Sequence, residues 1–215
     1  MQHLLFLGDS VTDCQRKRAA RHANTIAALG KGWVYYVHHK LMAKTDQLTV
    51  WNRGLAGSLT HEMNQQNQWW PLSDDASMTV NIVTIMIGIN DIWHPIWKSR
   101  RHDISTALNS FRALLQTVAT RAKHIVVCEP VALPCGEVTP TWWEPLRRLT
   151  DGQRDICREL GCHWLELQEP LLKDSHGRFQ DYLHDGVHPT DLGHRWLSLK
   201  WLTFVRDQQL LPTLF

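Results

Sequence analysis

The strongest constraint on this chain is an alternation of two patterns: short apolar runs that stop at Gly, Asn or Pro, and longer segments whose apolar residues recur every three or four positions. Short runs without polar alternation suit strands buried on both faces, so a parallel sheet covered by helices on each side is predicted. The runs that qualify are Leu4 to Leu7, Leu48 to Asn52, Ile82 to Ile87, His124 to Cys128, and Cys162 to Leu165, which makes the expected sheet five-stranded. Between them Trp33, Val34, Val37 and Leu41 keep a helical spacing, as do Ile104, Leu108, Phe111, Leu115 and Val118. Parallel neighbours need crossovers of that length, and right-handed crossovers build a doubly wound sheet. Pro145 suits the first turn of a further helix through Leu149 and Ile156, and Asp191 suits the N-cap of a last one carrying Leu192, Trp196, Leu199 and Leu202.

Composition narrows the class. The chain has 215 residues, of which 43% are hydrophobic and 20% charged, so one globular domain over 1–215 is expected. A formal net charge of +2 is too small for a phosphate-tracking surface, and Arg16, Lys17, Arg18 and Arg21 form the single basic cluster, so a nucleic-acid partner is not expected. The longest apolar stretch, Ile82 to Ile89, falls far short of the roughly 20 residues of a membrane helix. Met1-Gln2-His3 leads straight into Leu4 with no basic n-region or cleavage site, so secretion is not expected. Five cysteines, Cys14, Cys128, Cys135, Cys157 and Cys162, form no Cys-x-x-Cys pair. That pattern fits neither a disulfide framework nor a zinc site, and reduced thiols in a cytoplasm fit best. No cofactor and no metal is implied.

Open sheets of this kind bind ligands outside the carboxyl ends of their strands. Ser10 follows the first strand directly after Gly8-Asp9, where a hydroxyl can stand at the sheet's edge. A serine needs a base held in one tautomer by a carboxylate, and Asp185 and His188, spaced three apart across Gly186 and closed by Pro189, supply both. The plain alternative is a solvated Gly-Pro loop. An ester hydrolase also needs fixed N–H donors for its oxyanion, and the Ser10 N–H, the Gly54 N–H and the Asn90 side-chain amide are candidates. Gly54 could equally serve a turn with positive φ, and Asn90-Asp91 could cap the helix after the third strand.

The chain order Ser, Gly, Asn, His resembles the four blocks of the SGNH (GDSL) hydrolases. Gly8-Asp9-Ser10-Val11-Thr12-Asp13 is similar to the first block, and Asn52-Arg53-Gly54 with the following Gly57 to the second. Gly88-Ile89-Asn90-Asp91 and Asp185-Gly186-Val187-His188-Pro189 are similar to the last two. The resemblance implies a flavodoxin-like three-layer α/β/α sandwich, a serine ester hydrolase acting through an acyl-enzyme, and an Asp9 that braces the site without reacting. Wording around Val11 to Cys14 and Ile89 to Trp93 is closest to the intracellular acetylxylan-esterase-like branch. That branch implies small acetylated carbohydrate esters, such as acetylated xylo-oligosaccharides, as substrates, and a homo-oligomer. A lysophospholipase or thioesterase of the same family, acting on longer acyl chains, is the alternative.

Tryptophan is abundant, 11 residues in all. Trp93, Trp97, Trp142 and Trp143 fall after the third and fourth strands, where they are candidates to bind acyl groups or sugar rings, although Trp33, Trp164, Trp196 and Trp201 show ordinary core spacing. Three rivals remain. His184 and His188 could ligate a metal, but Gly186 and Pro189 break the helix such a pair needs. A nucleotide-binding protein would carry a Gly-Lys-Ser/Thr or Gly-x-Gly-x-x-Gly loop, which is missing. A non-catalytic sugar-binding module would have no need of Ser10, Asn90 and His188 together. The apolar tail Leu210 to Phe215 could pack on its own domain or on another subunit.

Overall fold

A computed structural model describes residues 1–20, 23–65 and 79–212, with the side chains of 64 and 65 left aside. Five strands, β1 (Gln2–Gly8), β2 (Leu48–Asn52), β3 (Val80–Met86), β4 (Ala122–Cys128) and β5 (His163–Leu165), pair in the order β2-β1-β3-β4-β5, all parallel. This is the flavodoxin-like order, with helices on both faces of one sheet. Strand positions match the apolar runs; β1, β3 and β4 extend two residues further at their N-terminal ends. Those additions, such as Gln2-His3 and Ala122-Lys123, include half-exposed or exposed residues at the sheet's rim, where pairing continues after the apolar signal has ended.

The helices are α1 (Ser10–Asp13), α2 (Ile26–Leu29), α3 (Trp33–Met42), α4 (Thr60–Gln65), α5 (Ile89–Trp97), α6 (Ile104–Ala119), α7 (Trp143–Glu159), α8 (Gln168–Ser175), α9 (Phe179–Tyr182) and α10 (Asp191–Asp207). Alternation along each strand divides the core in two. Leu4, Phe6, Val50 and Ile82 join Trp33 and Val37 of α3 and Trp201 and Val205 of α10 on one face. Leu5, Leu7, Val83 and Ile85 join Met63 of α4, Phe111 and Leu115 of α6 and Ile156 of α7 on the other. The last helix departs from expectation. Thr190, not Asp191, caps it, its side chain accepting from the Gly193 N–H at 3.1 Å. Leu192 and Leu199 face solvent at 46% and 62% exposure, while His194, Leu197, Trp201 and Val205 point inward. The buried stripe therefore runs through 194, 197, 201 and 205, a spacing that the more conspicuous leucines obscure.

Leu210 and Leu211 are buried within this same chain, and 213–215 lie outside the described residues. No helix among the described residues is long and apolar enough to cross a membrane.

Around Phe6 the first core gathers aromatic rings, with Trp33 at 5.1 Å and Trp201 at 5.3 Å between centroids. The fully buried Trp201 indole donates to Thr84 Oγ1 at 3.1 Å, which ties α10 to the centre of β3. Thr84→Val keeps the shape and removes the acceptor, leaving a buried indole N–H without a partner, at a cost of about 1–3 kcal/mol. Urea unfolding should show a lower midpoint with an unchanged slope; an unchanged midpoint would mean that the tie contributes nothing.

Candidate active site

The order β2-β1-β3 makes the gap between β1 and β3 the place where successive crossovers leave the sheet in opposite directions, opening a crevice at their carboxyl ends. Ser10 follows β1 and Asn90 follows β3, so the topology delivers both to that crevice. Asp9 caps α1 by accepting from the Val11 N–H at 3.0 Å. Ser10 is then the first helical residue, whose own N–H has no carbonyl within the helix to meet.

The Ser10 hydroxyl oxygen lies 2.8 Å from His188 Nε2, and His188 Nδ1 lies 2.7 Å from Asp185 Oδ2. A carboxylate only accepts, so the proton of a neutral ring sits on Nδ1, and Nε2 is left to accept from the hydroxyl. The other oxygen of Asp185 accepts the Val187 N–H at 2.9 Å and the His188 N–H at 2.8 Å, which fixes the loop from within. Burial alone would raise the Asp185 carboxyl, but the bonds from the His188 ring and from these two N–H groups outweigh it and hold the carboxyl below its usual value.

This loop is clasped from outside by the segment after β4. The Leu133 N–H donates to the Gly186 carbonyl and the Glu137 N–H to the Asp185 carbonyl, both at 2.8 Å. At Gly186, with φ of +92°, a Cβ would stand 2.3 Å from the Cys135 carbonyl oxygen, so only glycine allows the two segments to meet. The segment 129–143 carries no motif of its own, and its part in bracing Asp185 is visible only in three dimensions.

Asn90 is 4% exposed and is the second residue of α5; the helix cap is Gly88, so Asn90 is not a cap. One N–H of its amide donates to the Ser58 carbonyl at 3.0 Å, leaving the second for a ligand. Asn90 lines a depression of about 460 Å³ with Ser10, His188, Gly57 and Trp93.

Gly54 is different from expectation. Its N–H already donates to Asn52 Oδ1 at 2.9 Å, and its φ is not positive. A Cβ there would stand 2.3 Å from the Asp13 nitrogen, so this glycine lets the end of β2 pack on α1 and does not clear space for a ligand. Gly57, three residues on, is the glycine that faces the depression, with φ of +81° and nothing near its missing Cβ. The signal was in the sequence: an Asn two residues before Gly54 favours an Asx turn, which consumes that N–H.

The tryptophans separate. Trp142 is 1% exposed and stands behind Trp93 at 5.6 Å between centroids, while Trp93 lies 5.4 Å from the His188 ring. Trp97 is 75% exposed at the rim of the Ser10 depression. Trp143 lines a separate cavity of about 510 Å³ with Glu129, Leu146 and Leu172, away from Ser10. Trp142 and Trp143 are thus not placed to touch a ligand at Ser10. Among the described residues no group of three or more His, Cys, Asp or Glu side chains gathers as a metal site, and His184 turns to a second depression on the far side of Ser10.

Residues 6–196 match the model of the GDSL-like lipase/acylhydrolase family. The chain belongs to that family. As a member of this SGNH (GDSL) group it is a carboxylic ester hydrolase. It is 28% identical, over 94% of its length and 92% of the relative's, to an acetylxylan esterase from Geobacillus stearothermophilus. A crystal structure of an acetylxylan esterase from that organism is similar, with a TM-score of 0.79 and 26% identity over 95% of this chain and 94% of the other. The fold is also that of a GDSL-like lipase from Parabacteroides merdae, with a TM-score of 0.85 and 24% identity over 95% of each chain.

In this SGNH (GDSL) site Asp9 stands beside the serine, 1% exposed. Burial pushes its carboxyl up to about 7, against the lowering from the Val11 N–H and from His188. An unfolded Asp titrates at about 3.9, so the folded state holds this proton more tightly; stability is lost as pH rises between the two values and is level above both. Asp9→Asn keeps an oxygen for Val11 and removes the charge. Its gain in Tm over the parent should therefore grow from pH 4 to pH 7 and then stay constant, as thermal unfolding across pH will read; a gain that ignores pH would contradict the buried, protonated carboxyl.

Proposed function

We propose that this protein removes acetyl groups from short acetylated xylo-oligosaccharides through an acyl-enzyme on Ser10. The carrying observation is the continuous hydrogen-bond path from the Ser10 hydroxyl through His188 to Asp185. His188 Nε2 takes the hydroxyl proton as Ser10 Oγ bonds to the ester carbon, and the C–O bond to the sugar breaks as the same proton passes to the leaving oxygen. Water then repeats the sequence, losing a proton to His188 and releasing acetate from Ser10. The negative oxygen formed in each half is held by the Ser10 N–H, the second N–H of the Asn90 amide and, in place of Gly54, the Gly57 N–H.

Two features support a short acyl group. Trp93 is packed against Trp142 and His188 and walls the depression next to the nucleophile. The likeness to an acetylxylan esterase runs along nearly the whole chain. Trp97, exposed at the rim of the same depression, extends that aromatic wall. Five unpaired cysteines suit a reducing cytoplasm, where imported oligosaccharides and not polymeric xylan would be met.

A fluorophosphonate should label Ser10 alone, and kcat/KM should fall from acetyl to butyryl to decanoyl nitrophenyl esters. Labelling of another serine defeats the mechanism; a preference for decanoyl esters defeats the acetyl reading and favours the longer-chain alternative.

Asn90→Ala should lower kcat by on the order of 10²-fold to 10³-fold with little change in KM, the signature of a donor used in the transition state. It also releases the Ser58 carbonyl, so stability should drop by about 1 kcal/mol. A preserved kcat would leave Asn90 as a tether for Ser58 only.

A further inference from the structure

The basic run near the N-terminus plays no part in the chemistry above, yet it lies beside it. Arg16, Arg18 and Lys31 line the second depression, about 700 Å³ in volume, which opens on Ser10 and His188. We propose that this depression binds an anionic group on the alcohol half of the ester, so that acetylated sugars bearing a carboxylate or a phosphate are preferred to neutral ones. The inference rests on Ser10 being the nucleophile.

The wall is positive by one charge, with Arg16, Arg18 and Lys31 against two carboxylates. Both carboxylates are engaged. Asp13 is buried, accepts the Ala56 N–H at 3.2 Å and meets Arg18 at 3.7 Å. Asp191 accepts from the Tyr36 hydroxyl and from Arg195 Nε. Among the described residues Lys31 has no ion-pair partner, and it is exposed, as is Arg18. Arg16 is held in place by its Nε–H, which donates to the Gly54 carbonyl at 2.8 Å. Burial and the neighbouring Arg53 and Arg18 lower its guanidinium, although Asp13 opposes them, so an added anion would relieve the cluster. His194, also on the wall, is pushed down to about 4 by burial and brings no charge at neutral pH.

Geometry assigns this side to the alcohol. Gly57 and Asn90 lie in the aromatic depression, whose lining contains no Lys or Arg and one carboxylate, Glu137. The ester's carbonyl oxygen must turn toward those donors, and the leaving oxygen then departs past His188 toward the basic side. Cations gathered in a cleft beside a nucleophile focus their field on what binds there.

The test compares kcat/KM of the full chain for acetylated xylobiose, the same acetylated disaccharide carrying a uronic acid, and acetylated xylose phosphate, with nitrophenyl acetate as reference. Anionic esters should exceed the neutral one by on the order of tenfold, the scale of one charge-assisted hydrogen bond that survives solvent. That ratio should shrink in about 1 M salt, where the screening length is only about 3 Å. In Arg18→Gln/Lys31→Gln the ratio should approach one; being a ratio on one preparation, it is insensitive to the folded fraction. Preference for the uronate alone or the phosphate alone supports the site and identifies its anion. Equal rates for neutral and anionic esters, or a ratio unmoved by the double substitution, overturn it. Should wild type fail to cleave any ester, the hydrolase reading falls by itself, and calorimetric binding of deacetylated uronate against neutral disaccharide to the same protein still decides the anion site.

Discussion

Everything at this site depends on where β1 sits in the sheet. Pairing with β2 on one side and β3 on the other makes it the strand from which the crossovers diverge, and a crevice at its carboxyl end follows from that order alone. Residues just after β1, β2 and β3 then converge without any long-range design of their own: Ser10, Gly57 and Asn90 each need travel only a few residues from a strand end. The exception is His188, 178 positions from Ser10 in sequence, which no strand of the sheet delivers.

That exception explains the clasp around Asp185. A histidine on a loop between helices would ordinarily sample several positions, and misplacement by about 1 Å can cost on the order of 10²-fold in rate. Here the loop is closed within itself by the bond from the His184 N–H to the His188 carbonyl, and from outside by Leu133 and Glu137. The segment after β4, lacking any motif, therefore serves as scaffold for the base. Trp142 and Trp93 back the imidazole from the remaining side.

The sheet and its two cores were legible because apolar runs and helical spacing report burial directly, and burial is what those elements consist of. Ser10, Asp185 and His188 were legible through the chain order of the four blocks that resembles the SGNH hydrolases, since the Asp-x-x-His pair by itself reads equally well as a solvated Gly-Pro loop. What escaped reading depended on partners remote in sequence. Whether Gly54 or Gly57 turns an N–H to the crevice is decided by the Asn52 side chain folding back and by the approach of Asp13. Trp142 and Trp143 are adjacent and chemically identical, yet one is buried behind Trp93 and the other faces a different cavity, since they stand at the junction of a 3-10 turn, Pro140–Trp142, and α7. Thr190 displaced Asp191 as the cap of α10 because its hydroxyl meets the Gly193 N–H, which freed Asp191 to engage Tyr36 and Arg195.

The two aspartates nearest the chemistry show how one residue type is put to two uses. Asp185 is half-buried but receives three hydrogen bonds, so it remains ionised and can hold the imidazole and balance the positive charge formed on it. Asp9 is sealed in beside the serine, where burial outweighs the bonds from the Val11 N–H and its own N–H and favours its neutral form. A second fixed anion at Asp9 would also attract the proton of His188, competing with its release to the leaving alcohol, and would oppose the negative oxygen forming on the far side of Ser10. With a value of about 7, Asp9 is about half neutral at neutral pH, which leaves the Val11 turn capped while weakening the negative field where an oxyanion must form. Environment, rather than residue type, thus separates the carboxyl that acts on the base from the one that shapes the nucleophile's turn.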